Sequence, residues 1–180
     1  RAGPEIGVAA TKTFSSQVAV LALLAERIAE DVTGEVDPDR EALLAALERL
    51  PEHVEEALDR SPAEALAPQF TDRDEQFFIG RGVGYPVALE SALKFKEITY
   101  EHAEGFAAGE LKHGPLALVT SDTTVFAVFT GRHDEKTLKN VEEVRSRGAP
   151  VVAIAAESAG EVAEAADEFL PIPDTHPVAA

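Results

Sequence analysis

The sequence predicts an α/β fold: a three-layer αβα arrangement around a doubly wound parallel sheet, preceded by a helical segment. Three observations carry this expectation. Short apolar runs at Gln76–Ile79, Thr123–Phe129, Val151–Ala155 and Glu168–Ile172 alternate with helical patterns at Tyr85–Tyr100, Glu135–Arg147 and about Gly160–Ala166. That alternation is the βαβ rhythm of a parallel sheet covered on both faces. The first run passes through Gly80-Arg81-Gly82-Val83-Gly84 into a helix that opens with Pro86, a residue suited to a first turn because its missing N–H would be unpaired there. Before Asp74 the apolar residues keep helical spacing instead.

In chain order, Arg1 to Ala10 reads as a loop, and Thr11 to Asp31 as an amphipathic helix with Phe14, Val18, Leu21, Ala25 and Ile28 along one face. Asp37-Pro38 offers a cap followed by proline, opening a helix whose Leu43, Leu44, Leu47 and Leu50 face a partner. Pro51 is expected to start another helix. Ser61-Pro62-Ala63-Glu64 is a capping box that predicts a third short helix ending near Pro68. Boundaries are expected near residues 34 and 73, giving segments 1–34, 35–73 and 74–180.

The helix after Tyr85 carries apolar residues around most of its circumference, the mark of a largely buried helix. One stripe is polar: Glu90, Lys94, Glu97 and Glu101 follow i, i+4, i+7, i+11, so their side chains stack along one line. An ordinary surface Glu–Lys ladder explains this spacing, and so does a polar site, because charges on a buried helix are costly unless they pair or line a wet cavity. Gly105 to Pro115 is a loop-like run holding Glu110, Lys112 and His113 between glycines, where backbone can approach a ligand closely. A plain connecting loop is the alternative. The glycine turn lacks the third spacing of a dinucleotide fingerprint, yet its N–H groups could meet a phosphate. Arg81 reads equally as a surface residue or a ligand.

Composition narrows the function class. The chain has 180 residues, 45% hydrophobic and 27% charged, and Lys+Arg of 16 against Asp+Glu of 33 leaves a net charge of −17. That balance argues against nucleic acid or an anionic membrane as partner. With only six lysines in so acidic a chain, the expected source is a salt-loving organism. There is no cysteine, hence no disulfide or thiolate chemistry. His53, His102, His113, His133 and His176 lack the spacing of a metal motif, so no metal is expected. The longest wholly apolar run, Val18 to Ala25, is too short to span a bilayer, and a cytoplasmic location is expected.

ALKFKEITYEHAEGFAAGELKHGPLAL and EIGVAATKTFSSQ closely resemble the isomerase portion of the glutamine–fructose-6-phosphate aminotransferases, also called glucosamine-6-phosphate synthases, which is built of paired sugar-isomerase (SIS) subdomains. The likeness is dense over about Ala2 to Ala25 and Phe77 to Leu118, looser after Thr123, and weak across the helical linker. The resemblance implies that residues 1–34 close an upstream SIS subdomain, 35–73 connect, and 74–180 form the second subdomain without its final helix. It implies a sugar phosphate substrate, no cofactor, a homodimer, and a glutaminase domain upstream in a longer chain.

The resemblance also assigns roles. Glu97 would move a proton between C1 and C2 of fructose 6-phosphate, Lys94 would handle a hydroxyl proton and hold Glu97, and His113 would open the sugar ring from the neighbouring subunit. Glu90 would orient the others, and the loop Gly7-Val8-Ala9-Ala10 would touch the sugar phosphate. Ala10 stands where the family usually has serine, so one hydroxyl contact is in doubt. The chain contains no methionine and begins inside the family pattern. It is therefore expected to be truncated at both ends, without the family's phosphate loops and imine-forming lysine, and inactive alone. The helix from Thr11 is expected to dock in the groove left by the missing final helix, within the chain or between chains. A non-catalytic SIS module for sensing or dimerisation, or another SIS isomerase or deglycase, is the alternative.

Overall fold

A computed structural model describes residues 2–180; Arg1, the first residue of the predicted loop, lies outside the described residues. The predicted architecture is present. Five parallel strands, β1 (Glu75–Gly80), β2 (Ala103–Ala107), β3 (Thr123–Val128), β4 (Val151–Ala156) and β5 (Glu168–Ile172), form one sheet in the order β2-β1-β3-β4-β5. The order reverses direction at β1 and β3, so a crevice opens beyond the carboxyl ends of those strands.

Alternation along the strands separates the faces. Phe77, Ile79, Val125, Ala127, Val151, Ala153 and Ala155 build the larger core with α5 (Asp134–Arg145) and α6 (Gly160–Ala165). On the other face Phe78, Val128, Phe126 and Ile154 meet α4 (Gly84–Thr99) through its Ala88, Ala92, Val87 and Phe95. Successive side chains point to opposite faces of a strand, which is why single residues decide each layer. Aromatic contacts reinforce the second face: Phe78 and Phe126 stack with centroids 4.7 Å apart.

β2 is a correction, because Gly105 to Ala107 falls in the stretch expected to be loop. Ala103-Glu104-Gly105-Phe106-Ala107 has little strand propensity, and it holds through register with β1 from Gln76 against Ala103 to Gly80 against Ala107. Gly105 is required there, since a Cβ would come 2.8 Å from the Leu89 Cα. The missing side chain lets the edge strand lie under α4.

The helical segment also departs from expectation. α2 runs unbroken from Arg40 to Arg60 with Pro51 inside it, where a new helix was expected. Proline removes one backbone bond, but the apolar spacing continues across it: Leu43, Ala46 and His53 are buried. Leu47, Leu50, Val54 and Ala57 line a crevice with Phe14, Val18 and Ile172, so packing on both sides of the proline keeps the helix whole. α3 (Ala63–Leu66) continues as a tighter turn to Gln69, and Ser61 Oγ accepts the Ala63 N–H at 3.3 Å. α1 (Lys12–Thr33) ends at Gly34 in the left-handed region, φ 71°. No residue of α1 is buried, and Leu21, Leu24 and Ile28 remain about half exposed. Among the described residues no helix is long and apolar enough to cross a membrane.

Candidate functional site

α4 carries its polar stripe on a half-buried side of the helix, away from the face that Gly84, Ala88 and Ala92 bury. Lys94 Nζ donates to Glu97 Oε2 at 2.6 Å and lies 3.5 Å from Glu90 Oε1. The three side chains retain 19%, 30% and 23% exposure respectively, intermediate between core and surface. The hydrogen bond that Lys94 donates to Glu97 raises the Lys94 pKa above the ordinary lysine value, with the Glu90 charge adding to the effect against partial burial. Lys94 is thus a cation at neutral pH. The expected fourth member, Glu101, is not on the helix. α4 stops at Thr99 and Tyr100 turns left-handed, φ 63°.

Glu90 and Lys94 face a groove of about 830 Å³ between α4, the sheet, α3 and the start of α1. Its wall is apolar, with Phe70, Phe78, Phe95, Phe126, Ile154 and Leu170, and its polar groups converge at α4 and at the entrance to β1. Gln76 and Arg73 contribute there, as does Ser91 beside Glu90. Gln76 is buried and its Oε1 has no partner among the described residues. Sequence reasoning missed Gln76, Arg73 and Ser91; a polar residue opening a buried strand was the available signal for Gln76. Glu97 lies beside the groove through its bond to Lys94.

The remaining expected residues separate. Ala10 borders the groove with Glu90 and Lys94, whereas Val8 is 93% exposed and Ala9 is partly buried outside the groove lining. His113 is exposed at the end of a turn, Ala108–His113, that follows β2. That turn packs against α5, and Lys112 beside it pairs with Glu143 of α5 at 2.6 Å. His113 therefore sits on the layer opposite α4, and one chain does not bring it to Lys94 and Glu97. α1 meets the groove only at its start, with Thr11, Phe14 and Ser15; within the chain it does not fill the groove as expected, and Leu21, Leu24 and Ile28 farther along it stay about half exposed. Among the described residues no group of three or more His, Cys, Asp or Glu side chains is placed to hold a metal ion.

The match that decides the family is a model of the SIS domain, which aligns with residues 69–178. The chain belongs to the SIS domain family. It is 51% identical to the glutamine–fructose-6-phosphate aminotransferase (isomerising) of Halobacterium salinarum over 99% of its length, and covers 30% of that relative. Among solved structures it superposes on the C-terminal domain of glucosamine-fructose-6-phosphate aminotransferase from Francisella tularensis with a TM-score of 0.88 and 35% identity. That likeness covers 99% of this chain and 51% of the other. It also superposes on glucosamine-6-phosphate deaminase from Thermotoga maritima with a TM-score of 0.66 and 26% identity, covering 98% and 49% of the two chains. The SIS-matched stretch begins just ahead of β1 and holds the whole sheet, α4 and the turn bearing His113.

Proposed function

We propose that this chain forms part of a phosphosugar isomerase site in a glutamine–fructose-6-phosphate aminotransferase, with Glu97 as the proton-transferring carboxylate. The observation that carries the reading is the Lys94–Glu97 contact at 2.6 Å beside a groove large enough for a sugar phosphate. Interconverting a ketose and an aldose moves one proton between adjacent carbons and one between their oxygens. A carboxylate held over both carbons does the first. Lys94, kept cationic by Glu97, gives a proton to one oxygen, takes back the proton released by the other, and fixes the carboxylate's rotamer; Glu90 shares that ammonium and orients it. The backbone near Ala10 borders the substrate, with Val8 and Ala9 reaching it once the site is assembled.

His113 acts on the sugar ring from a neighbouring subunit. Its place on the opposite layer from Glu97 supports that geometry, since a second copy can present a residue that the same chain cannot. The working enzyme is then a homodimer. Residues 1–34 close one SIS subdomain, 35–73 connect, and 74–180 make the next, in a longer cytoplasmic protein whose glutaminase domain supplies ammonia. Glu97→Gln, placed in a full-length synthase carrying this segment, abolishes formation of glucosamine 6-phosphate while glutamine hydrolysis continues. An unchanged synthase rate would refute the role of Glu97.

A further inference from the structure

The glycine turn that opens α4 is not used by the Lys94–Glu97 site. From Gly84 to Lys94 is about 15 Å along a helix axis at 1.5 Å per residue, and the two ends of α4 face different cavities. At the N-terminal end a separate cavity of about 420 Å³ lies beyond the carboxyl ends of β1 and β2, lined by Arg81, Gly82, Gly109, Glu110, His133 and Lys136. We propose that this cavity is a second ligand site, one that takes the phosphoryl group of a small phosphomonoester.

Its cations are arranged rather than scattered. Arg81 donates from Nε and Nη2 to Asn140 Oδ1 at 3.3 and 3.0 Å. Asn140 is itself 5% exposed and donates from Nδ2 to Glu143 at 3.3 Å. A neutral, buried amide thus aims the guanidinium without cancelling its charge, and the unused side of the fork is left for a ligand. The guanidinium lies against Gly109, where a Cβ would stand 2.9 Å from Nη2. Across the cavity His133 occupies the left-handed region at φ 66°, and its ring packs on Gly82, where a Cβ would be 3.3 Å from Cδ2. A non-glycine residue in that region costs energy and is found at ligand clamps more often than elsewhere.

Charge supports the same ligand. The chain carries −17 overall, yet among the described residues neither Arg81 nor Lys136 has a carboxylate within ion-pair distance. Glu110 is the one carboxylate on the lining, which formally carries two cations to one anion; Glu143, behind Asn140, is close enough for the Arg81 charge to lower its pKa. Within the turn, Gly84 and Tyr85 donate back to the carbonyls of Arg81 and Gly82. The N–H groups of Gly82 and Val83 have no acceptor among the described residues, and successive free N–H groups before a helix suit phosphate oxygens. The location is the strand-end crevice where doubly wound sheets take ligands.

The test is histidine NMR on the chain, following the His133 ring while inorganic phosphate, fructose 6-phosphate or, as the ionic-strength control, KCl is added. His133 is expected to shift saturably with both phosphates and not with KCl. Tighter binding of fructose 6-phosphate would extend the ligand to a phosphosugar, and equal binding would confine recognition to the phosphoryl group. Lys136→Gln, a change to an exposed side chain, is expected to weaken the response about tenfold with the circular dichroism unaltered. Glu97→Gln is expected to leave it intact, which separates this site from the isomerase reading. A His133 resonance that follows KCl alone, or unchanged affinity in Lys136→Gln, would overturn the proposal.

Discussion

The two ends of α4 solve opposite problems with the same helix. Its C-terminal half places a cation between carboxylates, Lys94 between Glu90 and Glu97, so the charges satisfy one another beside an apolar groove. Its N-terminal end is shaped by absent side chains. A Cβ on Gly80 would lie 2.3 Å from the Gly84 carbonyl oxygen, and one on Gly84 would lie 3.2 Å from that of Val128, so strand, turn and helix are pressed together there. One end is made by side-chain electrostatics and the other by backbone fit. The same element therefore tolerates different substitutions at its two ends.

The sharpest way to break this contrast is to remove the central cation. Lys94→Met leaves Glu90 and Glu97 as unrelieved like charges and deletes the proton donor. In a full-length synthase the isomerisation rate is expected to fall roughly a hundredfold to ten-thousandfold, the range for losing acid–base assistance, while the fold persists because Lys94 is not part of the core. Steady-state kinetics on the variant checks this, and a rate within a few-fold of the parent would mean that the ladder is ornamental. Next in size is Gly80→Ala. A methyl group added against a backbone carbonyl cannot be absorbed by a rotamer change, so a loss of about 3 kcal/mol is expected, the upper end for overpacking. Chemical denaturation measures it. Full stability in Gly80→Ala would show that the turn is looser than its packing implies.

How legible each end was follows from the same distinction. The strands β1, β3 and β4 were readable because each is largely buried and carries a nearly unbroken apolar run, and the partly buried edge strand β5 was readable from Phe169, Leu170 and Ile172 following the β4–α6 rhythm. The Glu90–Lys94–Glu97 stripe was readable because helical spacing alone places those side chains together. β2 was not, because an edge strand with Gly105 at its centre owes its conformation to β1 and α4 rather than to its own residues. Pro51 misled for a similar reason: local chemistry argues for a break, and the packing of Leu47 and Val54 on either side overrides it. Gln76 left a signal, a polar residue opening a buried strand, but Arg73 at the groove and the Arg81–Asn140–Glu143 relay were out of reach because they depend on residues distant in sequence. The exposed apolar face of α1 could be read as amphipathic, but spacing does not say what an amphipathic helix rests on.

Proton titration sharpens the comparison most finely, because the two ends respond to opposite extremes of pH. Behind the N-terminal end, Glu143 accepts from Asn140 and pairs with Lys112 at 2.6 Å. The Lys112 hydrogen bond holds the Glu143 carboxyl below its ordinary value of 4.5. A carboxyl depressed by folding stabilises the native state above its unfolded pKa, and that contribution is lost as pH falls through the folded value. Lys94 has the reverse sign: raised above 10.5 by Glu97, it contributes fully below 10.5 and loses its share only as pH climbs through the higher folded value. The Glu143 pair is partly exposed, so about 0.5 kcal/mol is the scale to expect. Thermal melts of the parent and Glu143→Gln should differ by that small amount near neutrality and converge below pH 4.5. The difference should not change between pH 7 and 10, where Lys94 also stays charged. If the difference instead persists unchanged through the acid range, the Glu143 charge is not held by Lys112, and the support for Arg81 at the glycine turn must come from Asn140 alone.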